Sequence, residues 1–135
     1  MRWLILLLLL PGAAWAQDVR TFDRTGAQTG TQHIGPDGDI RFYDRSGSQT
    51  GSARRQGNET RYFDATGSQT GSARREGSET RFFDRMGVQT GSERHDANGS
   101  RTYDRAGSQT GSERRDTAGN RRFYDRSGTL KGSAW

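Results

Sequence analysis

Arginine, two ring-bearing positions and an aspartate stand side by side again and again in this chain. Arg41-Phe42-Tyr43-Asp44 is the plainest copy, with near-identical text from Arg61, Arg81 and Arg101 and looser copies from Arg20 and Arg122. Guanidinium groups make planar, bidentate contacts with carboxylate or phosphate, and aromatic rings stack on apolar sugar faces, so this set of residues is suited to binding. It is poorly suited to catalysis. The two histidines, His33 and His95, fall outside every repeated column, and no repeated serine has a histidine at a matching position, so a Ser-His-Asp arrangement has no support. Cysteine is absent, which removes thiol nucleophiles, thiolate metal sites and disulfides. The glycines lead into no amphipathic helix and so form no phosphate loop. Each turn carries one carboxylate where calcium loops need several oxygen ligands. The reading is a non-enzymatic protein with no catalytic, cofactor-binding or metal-ligating residues.

The first sixteen residues are of another kind. Arg2, the apolar run Trp3 to Leu10, the Pro11-Gly12 break and Ala14-Trp15-Ala16 read as a secretory signal peptide, cleaved before Gln17. The apolar run is about half the ~20 residues needed to cross a bilayer, and no later segment could stop transfer. The chain is therefore expected to be exported, periplasmic or secreted, with no membrane span after signal cleavage. Without Arg2 the chain keeps 20 of its 21 Lys+Arg against 16 acidic residues, a formal charge near +4, and Lys131 is its one lysine. Leu, Ile, Val and Phe after residue 16 number eleven, few enough that composition alone points to disorder. A repeat protein can still fold on so thin a core, because each copy buries its face on its neighbours.

The repeat aspartates Asp23, Asp44, Asp64, Asp84, Asp104 and Asp125 lie 20 or 21 residues apart, a fixed period that marks a repeat architecture. Each is followed three residues later by glycine: Gly26, Gly47, Gly67, Gly87, Gly107 and Gly128. Asp at the first position and Gly at the fourth is the preference of a type I turn, so these pairs read as structural turns. A second turn signal follows about ten residues on, at Gly57, Gly77, Gly99 and Gly119, with Gly35-Pro36-Asp37-Gly38 in the first gap. Short Thr-, Ser- and aromatic-rich segments between the turns predict hairpins, two strands per copy. The expected fold is all-β: a repetitive β-hairpin meander or solenoid of about six 20–21-residue repeats, filling residues 17–135 as one domain.

Strand alternation sorts the columns onto two faces. The arginine three before each aspartate shares a face with the aromatic one before it, while Thr21, Phe42, Tyr62, Phe82, Thr102 and Phe123 point the other way. Gln28, Gln49, Gln69, Gln89 and Gln109 are expected to share a face with Gly30, Gly51, Gly71, Gly91 and Gly111, and each glycine leaves room for a neighbouring ring. In-register stacking would turn the Gln and Arg columns into ladders. With the aromatic column before the aspartates assigned to a narrow core, the ligand-binding candidates are the arginines and the other ring: Arg41, Phe42, Arg61, Tyr62, Arg81, Phe82, Arg101, Arg122 and Phe123.

The string Gly57-Asn58-Glu59-Thr60-Arg61-Tyr62-Phe63-Asp64-Ala65-Thr66-Gly67 resembles the YD repeat of RHS-type proteins, and the resemblance extends over nearly all of residues 17–135. It implies β-sheet strips or shells associated with carbohydrate binding or with enclosing a toxin, and six copies are too few to enclose one. Thr50-Gly51, Gly57, Tyr62-Phe63 and Gly67 are also similar to the choline- and glucan-binding hairpin repeats of cell-wall proteins. Ser52, Ser72, Ser92 and Ser112 stand where that family has cage tryptophans, so cation–π capture of choline lacks its rings.

Repeated rings and guanidinium groups imply multivalent binding, in which weak single contacts gain by avidity on a polymer. Envelope or extracellular polysaccharide is the expected partner. The alternatives are a polyanion, nucleic acid or lipid phosphate, held by the arginines, and a structural spacer that self-associates through open end hairpins. The ending Leu130-Lys131-Gly132-Ser133-Ala134-Trp135 breaks the Gln-Thr step and reads as a cap.

Overall fold

In the computed structural model, which describes residues 17–135, the chain is twelve antiparallel strands joined by turns. They are β1 (Gln17–Asp23), β2 (Gln28–Ile34), β3 (Ile40–Asp44), β4 (Gln49–Gln56), β5 (Glu59–Asp64), β6 (Gln69–Glu76), β7 (Glu79–Asp84), β8 (Gln89–Asp96), β9 (Gly99–Asp104), β10 (Gln109–Arg115), β11 (Arg121–Asp125) and β12 (Leu130–Ala134). The signal-peptide reading concerns residues 1–16 and lies outside the described residues.

Local chemistry explains the turns. At Asp44 the Gly47 amide donates to the Asp44 carbonyl at 3.0 Å and the Asp44 amide to the Ser48 carbonyl at 3.0 Å. The Asp44 carboxylate then accepts the Ser46 and Ser48 amides at 2.8 and 3.0 Å. Gly47 sits at φ 84°, the left-handed position that closes a type I turn with a bulge. The second turns differ in length. Gly57 with Asn58, Gly77 with Ser78 and Ala97 with Asn98 are two-residue loops, enclosed by the pairs Gln56 to Glu59, Glu76 to Glu79 and Asp96 to Gly99. Gly99, expected in a turn, is instead the first residue of β9. The two 21-residue periods place their extra residue in five-residue loops at 35–39 and 116–120.

An open meander or solenoid is not what forms. The strand order is a closed ring, each strand beside its sequence neighbours and β1 beside β12. Thr21, Phe22 and Asp23 pair with Ala134, Ser133 and Gly132, and backbone bonds link Arg20 and Trp135 in both directions, at 3.0 and 3.3 Å. The β-solenoid expectation is thereby corrected to a twelve-stranded up-and-down barrel. The physical reason is that right-handed twist accumulates from strand to strand and an open strip leaves two unpaired edges, both of which closure removes. Closure also rules out the ladders: identical copies sit on every second strand, roughly 9.5 Å apart, too far for amide-to-amide bonding.

Which face turned inward follows from small residues. Gly30, Gly51, Gly71, Gly91, Gly111 and Gly132 are buried on the inner face, with Ala53, Ala73 and Ala134 two residues on from three of them. Each glycine is paired with the second-before-aspartate residue of the adjoining strand: Phe42 with Gly51, Tyr62 with Gly71, Phe82 with Gly91, Phe123 with Gly132. Inside the ring, rings therefore alternate with glycines. Ile40 and Ala53, each 1% exposed, form a buried apolar cluster against Ile34, Phe42 and Tyr62. A register shift at each glutamine-threonine step, for example between Phe42 and Tyr43 opposite Gln49 to Gly51, is a β-bulge. It pairs Gln49 with the outward Tyr43 while Gly51 stays inside, so the expectation that Gln and Gly share a face does not hold.

The bulge brings strands close. A Cβ on Gly71 would lie 2.5 Å from the Phe83 carbonyl oxygen, which is backbone and cannot move aside. Gly71→Ala should therefore cost about 1–3 kcal/mol, read as a lower urea midpoint with an unchanged slope; an unchanged midpoint would refute the close approach. At the seam, the Trp135 and Phe22 rings stack with centroids 4.1 Å apart. Trp135→Ala should cost about 0.5–1.5 kcal/mol beyond the area lost, and a matching Tyr124→Ala change away from the seam should leave β1 amides better protected from hydrogen exchange than Trp135→Ala does.

Candidate functional site

The outer wall is built from arginine. Arg54 faces Arg61 directly across β4 and β5, and the same like-charged pairing recurs as Arg74 with Arg81, Arg94 with Arg101 and Arg114 with Arg122. The first member of each pair lies over the ring that precedes the repeat aspartate. Arg54 is 5.7 Å from the centre of Phe63, Arg74 5.9 Å from Phe83, Arg94 5.4 Å from Tyr103 and Arg114 5.8 Å from Tyr124. Each contact is worth about 0.5–1 kcal/mol at an exposed site and holds the guanidinium plane against the wall. Trp135 takes the arginine's place over Phe22 at the seam.

Neutralisation is uneven around this wall. Glu59 reaches Arg61 at 3.0 Å and Arg74 at 3.6 Å, Arg81 lies 3.6 Å from both Glu76 and Glu79, and Arg54 lies 3.7 Å from Asp39. Among the described residues no carboxylate comes within ion-pair distance of Arg94, Arg101, Arg114 or Arg122. On the β8 to β11 wall both cross-strand arginine pairs are therefore without a carboxylate partner.

The sequence-predicted candidates divide between the two faces. Arg41, Arg61, Arg81, Arg101 and Arg122 are exposed on the outer wall. Phe42, Tyr62, Phe82 and Phe123, expected beside them as outward rings, face inward against the glycines, and burial pushes the Tyr62 hydroxyl up to about 12. The aromatic column assigned to the core, Tyr43, Phe63, Phe83, Tyr103 and Tyr124 with Phe22, is instead the outer one. Alternation separates the two columns, but only closure decides which of them is inside. The repeat aspartates serve the turns, and bonds from Thr25, Ser46, Thr66 and Ser127 hold the carboxyls of Asp23, Asp44, Asp64 and Asp125 below their ordinary range. A further open groove of about 440 Å³ on the β1 to β3 wall is lined by His33, Asp18, Arg41 and Tyr43 among others, with His33 Nδ1 2.6 Å from Asp18 Oδ1.

One charged group escaped the sequence reading. Ala53, Ala73, Glu93, Glu113 and Ala134 occupy one inward column, and its two acids are 1% and 2% exposed. Ser100 Oγ donates to Glu93 Oε1, His95 Nε2 lies 3.7 Å from Glu93 Oε2, and Thr80 Oγ1 is 3.1 Å from the same ring nitrogen. Both Glu113 oxygens lack any hydrogen-bond partner. Arg121 is also buried. Burial pushes Glu93 up to about 7 and raises Glu113, against the opposing pull of Arg121 on both. The signal was present in the Thr-Gly-Ser-Ala-Arg and Thr-Gly-Ser-Glu-Arg strings: an acid in a column that elsewhere holds alanine or, in β2, Gln32.

No protein-family model matches the chain, and no curated protein matches its sequence. Among solved structures, the X-ray structure of a protein from Arabidopsis thaliana is similar over 90% of this chain and 80% of its own length, with 8% identity and a TM-score of 0.42. A likeness at that level carries no argument about fold or function.

The buried acids make stability depend on pH. A carboxyl whose folded value is raised favours folding when protonated; for Glu93 that contribution is complete below 4.5 and is lost as pH rises through about 7. Glu113 acts in the same direction and His95, lowered by burial, in the opposite one. The melting temperature should therefore fall between about pH 5 and about pH 8.5, and a Glu93→Ala, Glu113→Ala double variant should lose most of that fall. At the higher pH, Glu113→Ala alone should stabilise the fold by about 1–3 kcal/mol, because it removes an unpaired buried group and Ala already fits this column. A variant less stable than the parent there would refute the assignment.

Proposed function

We propose that this chain is an exported, non-enzymatic binding protein whose outer wall holds an acidic extracellular polysaccharide multivalently. The observation that supports it is the set of guanidinium pairs set directly across neighbouring strands. Like charges in that position are destabilising, and a polymer bearing carboxylates relieves the repulsion along the whole wall. The arginines over Phe63, Phe83, Tyr103 and Tyr124 are already oriented, so less side-chain entropy is lost on binding. With those ring faces covered by guanidinium, stacking of a neutral glycan on the outer wall has little support, and the earlier expectation of polysaccharide binding narrows to an acidic polymer.

Mid-strand arginines also make the outer wall unsuited to crossing a bilayer, where an outward apolar band is required. The closed ring leaves no free strand edge among the described residues for end-to-end assembly. Between acidic glycan and nucleic acid, the leader expected over residues 1–16 favours the partner found outside the cell.

Retention on an immobilised uronic-acid polymer, a neutral glucan and double-stranded DNA, at about 0.05 and about 0.5 M salt, tests this reading. The protein should be held by the uronate polymer, weakened by salt, and pass the glucan unretarded. Replacing Arg94, Arg101, Arg114 and Arg122 together by Ala should weaken retention at least tenfold, while each single change weakens it about threefold or less, as avidity requires. Equal retention of the fourfold variant, or a preference for DNA over uronate, would overturn the proposal.

A further inference from the structure

We propose a second site on the outer wall, away from the β8 to β11 arginine pairs: the groove over β1 to β3 seats the pyranose ring of a uronic acid, its face on Tyr43 and its carboxylate on Arg41 or Arg45. The choice of an acid sugar rests on the acidic-polymer reading; the groove itself does not. One column of the repeat covers the outer rings, since the residue three after each inner glycine is His33, Arg54, Arg74, Arg94, Arg114 or Trp135. The four arginines lie over Phe63, Phe83, Tyr103 and Tyr124, and Trp135 lies over Phe22. His33 is engaged elsewhere. Its Nδ1 is 2.6 Å from Asp18 Oδ1 on β1, the strand on the far side from Tyr43. Among the described residues no arginine, phenylalanine, tyrosine or tryptophan lies over the Tyr43 ring.

That ring borders open space. The groove of about 440 Å³ against it falls within the range of about 300–1,000 Å³ usual for small-ligand sites. Strand pairing builds it in rows. His33 stands across from Asp18 on one side and Arg41 on the other, and in the next row Thr31 stands across from Tyr43. Toward the aspartate turns the lining continues with Gln28, which donates to Thr31 Oγ1 at 3.2 Å, and with Arg45.

The bonds already made there decide what an occupant must bring. Both acids of the groove have partners: Asp18 holds His33, and Asp44 Oδ1 accepts the Ser46 amide and hydroxyl and the Ser48 amide. Among the described residues no carboxylate comes within ion-pair distance of Arg41 or Arg45. Two guanidinium groups and one ring face are left, which calls for an anion and an apolar face on one frame. A simple anion leaves the ring unused, and a neutral sugar leaves the guanidinium groups unused. A uronic acid meets both. The carbon-bound hydrogens along one face of its ring stack on an aromatic, its carboxylate takes paired bonds from a guanidinium, and its hydroxyls suit the Thr31 hydroxyl and the Gln28 amide.

The test titrates the purified protein with methyl glucuronide, methyl glucoside and acetate, which carry ring and charge, ring alone and charge alone. Methyl glucuronide should shift the Thr31, Tyr43 and Gly47 amides saturably by nuclear magnetic resonance and bind about threefold or more tighter than either other probe. Replacing Arg41 and Arg45 together by Ala should reduce its binding to the level of the glucoside. His33→Arg is the decisive variant. Arg74 meets Glu59 at 3.6 Å from the equivalent position and still lies over Phe83, so the introduced guanidinium should cover Tyr43. That variant adds positive charge and yet should weaken methyl glucuronide binding about threefold or more. The fourfold arginine variant of the β8 to β11 wall should bind the monosaccharide unchanged, so lost polymer retention with intact monosaccharide binding counts against the acidic-polymer reading alone. No saturation by methyl glucuronide, equal binding of acetate or the glucoside, or tighter binding by His33→Arg would overturn the proposal.

Discussion

Three residues of β1 and three of β12 form a short ladder, and that ladder turns a strip of hairpins into a ring. No repeat has a core of its own, since each turns only about four positions inward: one in the column of Val19, Ile40, Thr60, Ser100 and Arg121, one ring or threonine, one glycine and one small or polar residue. Their burial exists only when the wall curves round upon itself. Closure thus does for this chain what disulfides or a large apolar interior do for other small domains, and it places an unusual demand on two strands that lie more than a hundred residues apart in sequence. The stacked pair of Phe22 and Trp135 sits at that junction, so the last copy covers the ring of the first.

The second constraint is the bulge at each of the five glutamine-threonine steps and at Leu130-Lys131 in the last copy. An extra residue on one strand tightens the local twist and brings the next strand's carbonyl over the glycine. Six such bulges, regularly placed, curve the sheet enough to close. They also leave glutamine and threonine outside and glycine inside, and so the inner layer alternates ring with glycine around the circumference.

Charge is distributed across the same wall in two layers. Strands β8 and β10 carry arginines without ion-pair partners outward and buried glutamates inward. The opposite part, around Ile34, Ile40, Ala53 and Tyr62, is the apolar anchor. This division explains how a chain with so few aliphatic residues can tolerate buried carboxylates: one side supplies cohesion while the other bears the groups that cost stability.

Much of the local structure could be read from single residues. Asp44 with Gly47 specifies a turn because the carboxylate captures two amides and glycine takes the positive φ, and the same logic holds in the other copies, with Asp104 capturing the Ser108 amide alone. Two faces per strand also follow from alternation, which correctly kept Arg61 on the side of Phe63 and away from Tyr62. The order of inside and outside did not follow, because both faces carry rings, and a periodicity of two is silent about curvature. Nor did closure, since pairing Thr21 with Ala134 is a contact between chain ends that no local pattern encodes. The glutamate column was visible as Ala53, Ala73, Glu93 and Glu113, yet its meaning depended on knowing that this column points inward. Sequence by itself determined the aspartate turns and the separation of the arginine column from the inward rings, both of which are set by interactions within a few residues. The tertiary structure alone decided which face is buried, where the ends meet and which charges lack partners, because those depend on how twist and bulges accumulate over the whole ring.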